Sequence, residues 1–422
     1  AAAVPWQRRL RKQRSMRILR QSAGAAGRRK RIFHPIRRGR RRLAVLNIDR
    51  RLLKGFDWLT FGIVVLLAVI GILTIASATR PMIEGAERPD FYLKQIVWLC
   101  FSMIALFVVV AFDYIWLQRF AYIFYAFGLL MLVLVLVAGK SSLGAQRWIS
   151  VGPLTFQPSE FFRLAFIAGF SAYLTSGLAG GPARLGWKGI ILFGLLPMGL
   201  IMKQPDLGTA ILLMSLFVVL CLVRGLSRRL LVLVLAISLL AAPFVGHIFW
   251  DHLKEYQKNR LIAFLDPEVD PSGIGYQINQ SKITIGSGGI VGKGYQQGTQ
   301  GPLRFLPEKH TDFIFAVFAE EWGFLGSLTL VGLYLMLFLR GLDTALKAKD
   351  EYGRLVATGI TAMFFTYFTV NICMTLGMMP VVGVPLPFVS YGGTALLSNF
   401  IAAGILICIR TRRFELFYPQ IW

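Results

Sequence analysis

Acidic residues, histidines and cysteines are what this chain is short of. Asp and Glu together number 21 against 46 Lys and Arg, only 16% of residues are charged, and four Cys and four His are spread over 422 residues. Cys100, Cys221, Cys373 and Cys408 all fall inside apolar runs without CxxC spacing. That excludes a disulfide framework or a thiolate zinc site and leaves them as small buried hydrophobes. Neither GxGxxG nor GxxxxGK(S/T) occurs, so nucleotide binding through those loops is excluded. There is no tandem repeat and no clear inverted repeat, which argues against a typical secondary transporter. The net charge of +25 first suggests nucleic acid, but sixteen Arg and Lys and no acidic residue lie before Leu43, leaving 25 minus 16, or +9, for the rest. Residues 1–48 lack both an apolar face and the apolar core of a signal peptide. They are read as a basic, disordered cytoplasmic tail able to touch anionic lipid, with a start-site artefact as the alternative and no nucleic-acid partner.

Apolar residues, by contrast, are abundant at 55% of the chain. A spanning helix needs ~20 mostly apolar residues, and about ten stretches meet that standard. They lie near 57–77, 94–112, 116–138, 160–177, 187–202, 207–223, 228–250, 312–340, 354–378 and 390–410. The expected fold is therefore an all-α integral membrane protein of about ten transmembrane helices over 49–422. Arg224, Arg228 and Arg229, then Arg340, Lys347, Lys349 and Arg354, then Arg410, Arg412 and Arg413 share one side with the N-terminal tail. The positive-inside rule makes that side the cytoplasm, with both termini there. The other side carries a long polar connection, 251–311, between helices seven and eight, the expected place for extracytoplasmic function. The short fifth and sixth spans, parted by Lys203-Gln204-Pro205-Asp206, have a re-entrant hairpin as their alternative.

Several groups could carry chemistry. Leu306-Pro307-Glu308-Lys309-His310-Thr311-Asp312-Phe313 sets ionisable residues where that polar connection turns into an apolar helix. Asp312 is then either a helix cap, the default for an isolated Asp, or a carboxylate held at the membrane surface for a reaction. Glu320 and Glu321 make poor partners for it, being roughly 12–13 Å farther along the helix axis. Glu160 and Arg163 stand three apart on one helix face, where ionisable groups must find protein or water; capping by Ser159 with Glu160 in the first turn is an equal reading. The glycine-rich run 285–301 is a flexible loop whose amides could approach a sugar or diphosphate. Asp206 reads as a cap. Pro380, Pro385 and Pro387 break any helix through that stretch, so its backbone must line protein or water.

In order along the chain, these segments resemble the SEDS family of bacterial cell-wall polymerases from about Asp49 to Arg413. The resemblance rests on Gly144-Ala145-Gln146-Arg147-Trp148-Ile149, Gln157-Pro158-Ser159-Glu160, Gln204-Pro205-Asp206-Leu207-Gly208-Thr209, Gln280-Ser281-Lys282-Ile283-Thr284-Ile285-Gly286-Ser287-Gly288-Gly289, the Asp312 segment, and Pro385-Leu386-Pro387-Phe388-Val389-Ser390-Tyr391-Gly392-Gly393. Asp266-Pro267-Glu268-Val269-Asp270-Pro271 and Gly298-Thr299-Gln300 look like the elongation branch. The resemblance implies a peptidoglycan glycosyltransferase that polymerises lipid II in the bacterial cytoplasmic membrane beside a class B penicillin-binding protein transpeptidase and other elongation-complex membrane proteins. It makes Asp312 the catalytic carboxylate and puts Glu160 and Arg163, with Ser390, around the cavity. Arg163 departs from the family's usual Lys, keeping the charge but not a compact amine. The implied transfer needs a base for the acceptor hydroxyl and positive charge for the departing diphosphate. Lys309, His310, Lys293, Arg147 and Arg163 are candidates for that charge, and a divalent cation, Mg2+ or Mn2+, could share it. A lipid II flippase and a non-catalytic scaffold are the rival readings.

Overall fold

The computed structural model describes residues 55–80, 90–142, 145–151, 154–176, 186–204, 206–225, 255–266, 273–299 and 308–414. The basic tail 1–48 and the expected seventh span, 228–250, lie outside the described residues. Most of the rest is helix: α1 (Trp58–Ala78), α2 (Phe91–Ala111), α3 (Tyr114–Ala138), α4 (Pro158–Thr175), α5 (Leu196–Lys203), α6 (Leu207–Val223), α7 (Glu255–Leu265), α8 (Ile274–Ser287), α9 (Ile314–Leu346), α10 (Glu351–Thr375) and α11 (Gly393–Thr411). Among the described residues, α1, α2, α3, α9, α10 and α11 are long and apolar enough to cross a membrane, and α6 is a shorter apolar helix. Leu73, Phe101, Ile104, Phe127 and Leu335 on these helices are exposed, as expected of faces whose solvent is lipid.

The helix starts follow local sequence. Asp57, Asp113, Asp206 and Asp350 cap α1, α3, α6 and α10, accepting from Thr60 N (3.4 Å), Ile115 N (3.0 Å), Thr209 N (3.2 Å) and Gly353 N (2.6 Å). Pro158 opens α4, where its missing N–H leaves no gap, and Glu160 sits in the first turn toward the positive end of the helix dipole. Packing brings α2 against α11, α3 against α4, and α9 against α10 and α1.

The predominantly helical fold is as expected, and four details depart from the sequence reading. The fold is not wholly helical: Lys140–Ser142, Ala145–Val151 and Leu154–Phe156 form β1, β2 and β3 of a small antiparallel sheet, with Lys140 opposite Trp148 and Ile149 opposite Phe156. The run is too short and too polar to span, and Gly144, Gly152 and Pro153 between its segments suit chain reversal between short strands. The connection 251–311 is not simply a loop, because it contains α7 and α8; Ile278, Ser281 and Thr284 give α8 a buried face of helical spacing that mixed polarity hides. The fifth span is irregular. A π-helical stretch, Ile190–Leu195, precedes α5, and Pro197 cannot donate to the turn before it. The eighth span runs longer than expected and is interrupted at Gly323, whose φ of 64° and ψ of −161° are not helical.

Candidate active site

Asp312 lies just outside the spanning part of α9, in a turn closed by Glu308. Glu308 takes a left-handed φ of 52°. Its carbonyl accepts from Thr311 N (3.1 Å) and Phe313 N (3.3 Å), and its carboxylate accepts from Thr311 Oγ1 (2.9 Å). The N-cap of α9 is Phe313, with no side-chain cap at all. Asp312 is thus not the cap that an isolated Asp before a helix would be.

Other segments hold the turn by its carbonyls. Tyr391 N donates to His310 O (2.9 Å), Ser390 Oγ to Thr311 O (2.7 Å), and Asn371 Nδ2 to Asp312 O (3.0 Å). Asn371 Nδ2 also donates to Val384 O (2.8 Å), and Leu386 N donates to Ser390 Oγ (2.8 Å), so α10 and the proline-broken segment before α11 share the clamp. With its backbone fixed this way, the Asp312 carboxylate receives no hydrogen bond or ion pair among the described residues.

Its surroundings are charged. A Cβ placed on Gly383, which has a φ of 71°, would lie 3.5 Å from Asp312 Oδ2 and 3.8 Å from Arg260 Nη1, so carboxylate and guanidinium flank one glycine. Burial, then the Glu308 carboxylate, push the Asp312 carboxyl up to about 6, while Arg260 and Arg147 pull the other way. Near pH 6 it is half-protonated, and at pH 7 it is mostly an ionised base of useful strength. His310 stacks on Phe91 with ring centroids 4.6 Å apart and approaches Tyr391 at 5.6 Å. Burial lowers its pKa from the ordinary 6.5, which favours the neutral imidazole. Lys309 is half-buried on the same turn.

The remaining candidates fall into two groups. Glu160 and Arg163 form an ion pair inside the bundle, 4% and 1% exposed. Arg163 also donates to Ser398 Oγ (3.1 Å) on α11, and its guanidinium lies 4.3 Å over the ring of Tyr367 on α10. Arg147, on β2, reaches Asp206 at 3.5 Å. Lys293 is bound instead to Glu320 (2.7 Å), eight residues into α9 from Asp312, or roughly 12 Å along the axis. It sits in the glycine-rich segment that Thr299 N (2.9 Å to Glu320 Oε1) and Gln296 N (3.2 Å to Glu321 Oε1) fasten to α9. On the lipid side, an apolar groove between α2, α3, α4 and α11 runs from Phe156 and Pro158 to Asp113 and Cys408, lined by Phe120, Phe124 and Phe161.

Sequence reasoning missed Arg260, Asn371 and the pairing of Arg147 with Asp206. Arg260 is one basic residue in a polar stretch with no motif around it. Asn371 sits in an apolar span, where a lone amide was the available signal. For a divalent cation, the unengaged Asp312 carboxylate fits as a single protein ligand, with substrate phosphates and water completing the shell in the manner usual for magnesium. Among the described residues no group of three or more His, Cys, Asp or Glu could hold an ion by itself.

A helical membrane bundle with a clamped, unpaired carboxylate at one end defines the class, and comparison with known proteins gives the family. Residues 57–414 match the profile of the FtsW, RodA and SpoVE family, described as cell cycle proteins, and the chain belongs to that family. It is 35% identical over 427 residues to the peptidoglycan glycosyltransferase RodA of Treponema pallidum, covering 85% of this chain and 98% of that one. With the peptidoglycan glycosyltransferase MrdB of Escherichia coli K12 it shares 46% identity over 292 residues, 68% of this chain and 77% of the relative. Among solved structures, one from a study of the structural coordination of polymerization and crosslinking by a peptidoglycan synthase complex aligns with a TM-score of 0.71 at 32% identity, over 85% of this chain and 99% of that one. The Rod shape determining protein RodA of Thermus thermophilus aligns with a TM-score of 0.62 at 29% identity, over 85% and 98%.

Proposed function

We propose that the chain is a peptidoglycan glycosyltransferase that polymerises lipid II into glycan strands for cell elongation. The observation that carries this reading is the Asp312 carboxylate, held rigidly by its backbone, left without a partner among the described residues, with Arg260 across Gly383 and Arg147 within electrostatic reach. Asp312 takes the proton from the acceptor sugar's 4-hydroxyl as that oxygen attacks C1 of the donor. The C1–O bond to the undecaprenyl diphosphate breaks with inversion, converting the α-linked donor into a β-1,4 bond. Arg260 and Arg147 offset the negative charge that grows on the departing diphosphate, in a site where fixed charges need little reorganisation. The apolar groove bordered by Phe156 and Pro158 gives a lipid chain somewhere to lie. A divalent cation, held by Asp312 and the donor's phosphates, would supply further charge neutralisation.

In this reading Asp312 faces the outside of the bacterial cytoplasmic membrane, both termini face the cytoplasm, and a class B penicillin-binding protein crosslinks the product alongside other elongation-complex proteins. The test is polymer formation by the detergent-solubilised chain with lipid II and a class B partner, with Asp312→Asn as control. Polymer from wild type and none from the variant is expected. Absence of polymer from wild type across several divalent cations overturns the reading, and movement of lipid II across liposomes without polymer would put a flippase in its place.

A further inference from the structure

Asp206 is a satisfied helix cap, yet its geometry shows more than a cap requires. Thr209 N donates to Oδ1 (3.2 Å) and Thr209 Oγ1 to Oδ2 (2.8 Å); a neutral asparagine would keep the first bond through its amide oxygen, and the Thr209 hydroxyl would turn to accept from its amide nitrogen. The charge is what remains to be explained. Asp206 is only 2% exposed, and a carboxylate so buried needs a cation. That cation is Arg147, 59 residues away, with Nη1 3.5 Å from Oδ1.

The pair adjoins the Asp312 site. The first turn of α6 presses on the segment before α11, where a Cβ on Gly208 would collide with Val382 O and Val384 Cγ2. The next residue in that segment from Val382, Gly383, abuts Asp312 Oδ2, and Val384 O shares the Asn371 amide with Asp312 O. Arg147 is close enough to stabilise the Asp312 carboxylate electrostatically. Its side chain is 17% exposed, against 3% for that of Asp206, so one end of the pair is buried and the other partly exposed.

We propose that Asp206 is a positioning residue for the reaction at Asp312: its buried carboxylate fixes the Arg147 guanidinium beside that site, where it meets the diphosphate of a lipid-linked donor. The proposal rests on the glycosyltransferase reading for its ligand, and on the Arg147–Asp206 pair for its mechanism. A long arginine side chain held at one point loses most of its conformational freedom before substrate arrives, which is the condition for a fixed charge to favour the transition state.

The experiment compares Asp206→Asn, Asp206→Ala, Arg147→Ala and the double variants in the full chain, solubilised with a class B partner. Asparagine caps helices as well as aspartate does, so a purely capping role leaves Asp206→Asn at the wild-type rate and harms only Asp206→Ala. The positioning role predicts equal losses in both, on the order of 10- to 100-fold in kcat, with no further loss when either is added to Arg147→Ala. Asp206→Asn should keep the melting temperature, whereas Asp206→Ala loses the cap and Arg147→Ala strands a buried carboxylate, so both of these should lower it. Binding of undecaprenyl diphosphate to the solubilised chain gives a readout without turnover, expected to weaken alike in Asp206→Asn and Arg147→Ala. Wild-type rate and binding in Asp206→Asn, or losses that multiply with those of Arg147→Ala, overturn the proposal. If wild type binds the diphosphate in an Asp206-dependent way but makes no polymer, the glycosyltransferase reading fails and the positioning role stands.

Discussion

The two ends of α9 solve opposite problems. At its far end the side chains are fully committed. Arg340 Nη2 reaches Asp57 Oδ1 at 2.5 Å, Arg410 reaches Asp57 Oδ2 at 3.3 Å and Asp343 Oδ2 at 2.7 Å, and Asp57 also caps α1. At the near end it is the backbone that is committed: the carbonyls of His310, Thr311 and Asp312 are bound in turn by Tyr391, Ser390 and Asn371. One aspartate, Asp57, is a structural ion held by α1, α9 and α11. The other, Asp312, is kept in place without using its carboxylate. An acidic side chain can be both immobile and chemically available only if something else does the holding.

The sharpest way to break this contrast is to neutralise each carboxylate in turn. Asp312→Asn should reduce polymerisation by about 10²–10⁴, the usual weight of a general base, with no loss of folded protein. The wild-type rate should fall as pH drops through about 6, following the Asp312 carboxyl. Asp57→Ala should do the reverse. It leaves Arg340 and Arg410 without their shared counter-ion and should destabilise the protein by about 3 kcal/mol, seen as a lower unfolding midpoint in detergent, while each folded molecule keeps its activity. If Asp57→Ala silences the enzyme without unfolding it, the two ends are not independent.

Asn371→Ala probes the clamp. Losing two hydrogen bonds to buried carbonyls should cost about 2 kcal/mol, and it should lower kcat by roughly tenfold through misplacement of Asp312. Unchanged kcat would mean that Ser390 and Tyr391 suffice.

The smallest effect has the most telling sign. Asp312 has its carboxyl raised from 3.8 to about 6, so folding carries no penalty from it below its ordinary value and the full penalty once it ionises above about 6. Asp312→Asn should therefore be more stable than wild type at pH 7.5, by about 1–2 kcal/mol after allowance for partial exposure, with the difference gone by pH 4. Thermal unfolding of both proteins across that range checks it.

Sequence reading reached those features that short-range rules govern. Six spans among the described residues followed from apolar length, the Asp206 cap from a polar residue before an apolar run, and the Glu160–Arg163 contact from its spacing of three. Features made by chain reversal were not legible. Arg260 meets Gly383 across 123 positions, and Asn371 reaches Asp312 across 59, with no local pattern announcing either. The small sheet was not legible, since 145–151 mixes polar and apolar residues without a strict two-residue alternation. Lys293 shows the limit of local reading: a cation beside a glycine run suggests phosphate, and nothing in its surroundings announces the buried carboxylate on α9 that it meets.

Beside the Glu320 and Glu321 side-chain contacts, the break at Gly323 joins two parts of the chain through their main chains. Lys293 N and Gly294 N donate to Glu320 O (3.0 Å) and Glu321 O (2.9 Å), while Phe324 N and Leu325 N donate to Gly289 O (2.9 Å) and Ile290 O (3.1 Å). An added Cβ at Gly288, Gly292 or Gly323 would run into the facing backbone. A seam stitched through peptide groups is indifferent to most of the side chains it carries. Ile290 and Val291, 69% and 75% exposed, can therefore drift in sequence while the loop stays docked, whereas the three glycines cannot. The outer surface of this segment is thus free to adapt to whatever it meets without loosening the helix that leads to Asp312.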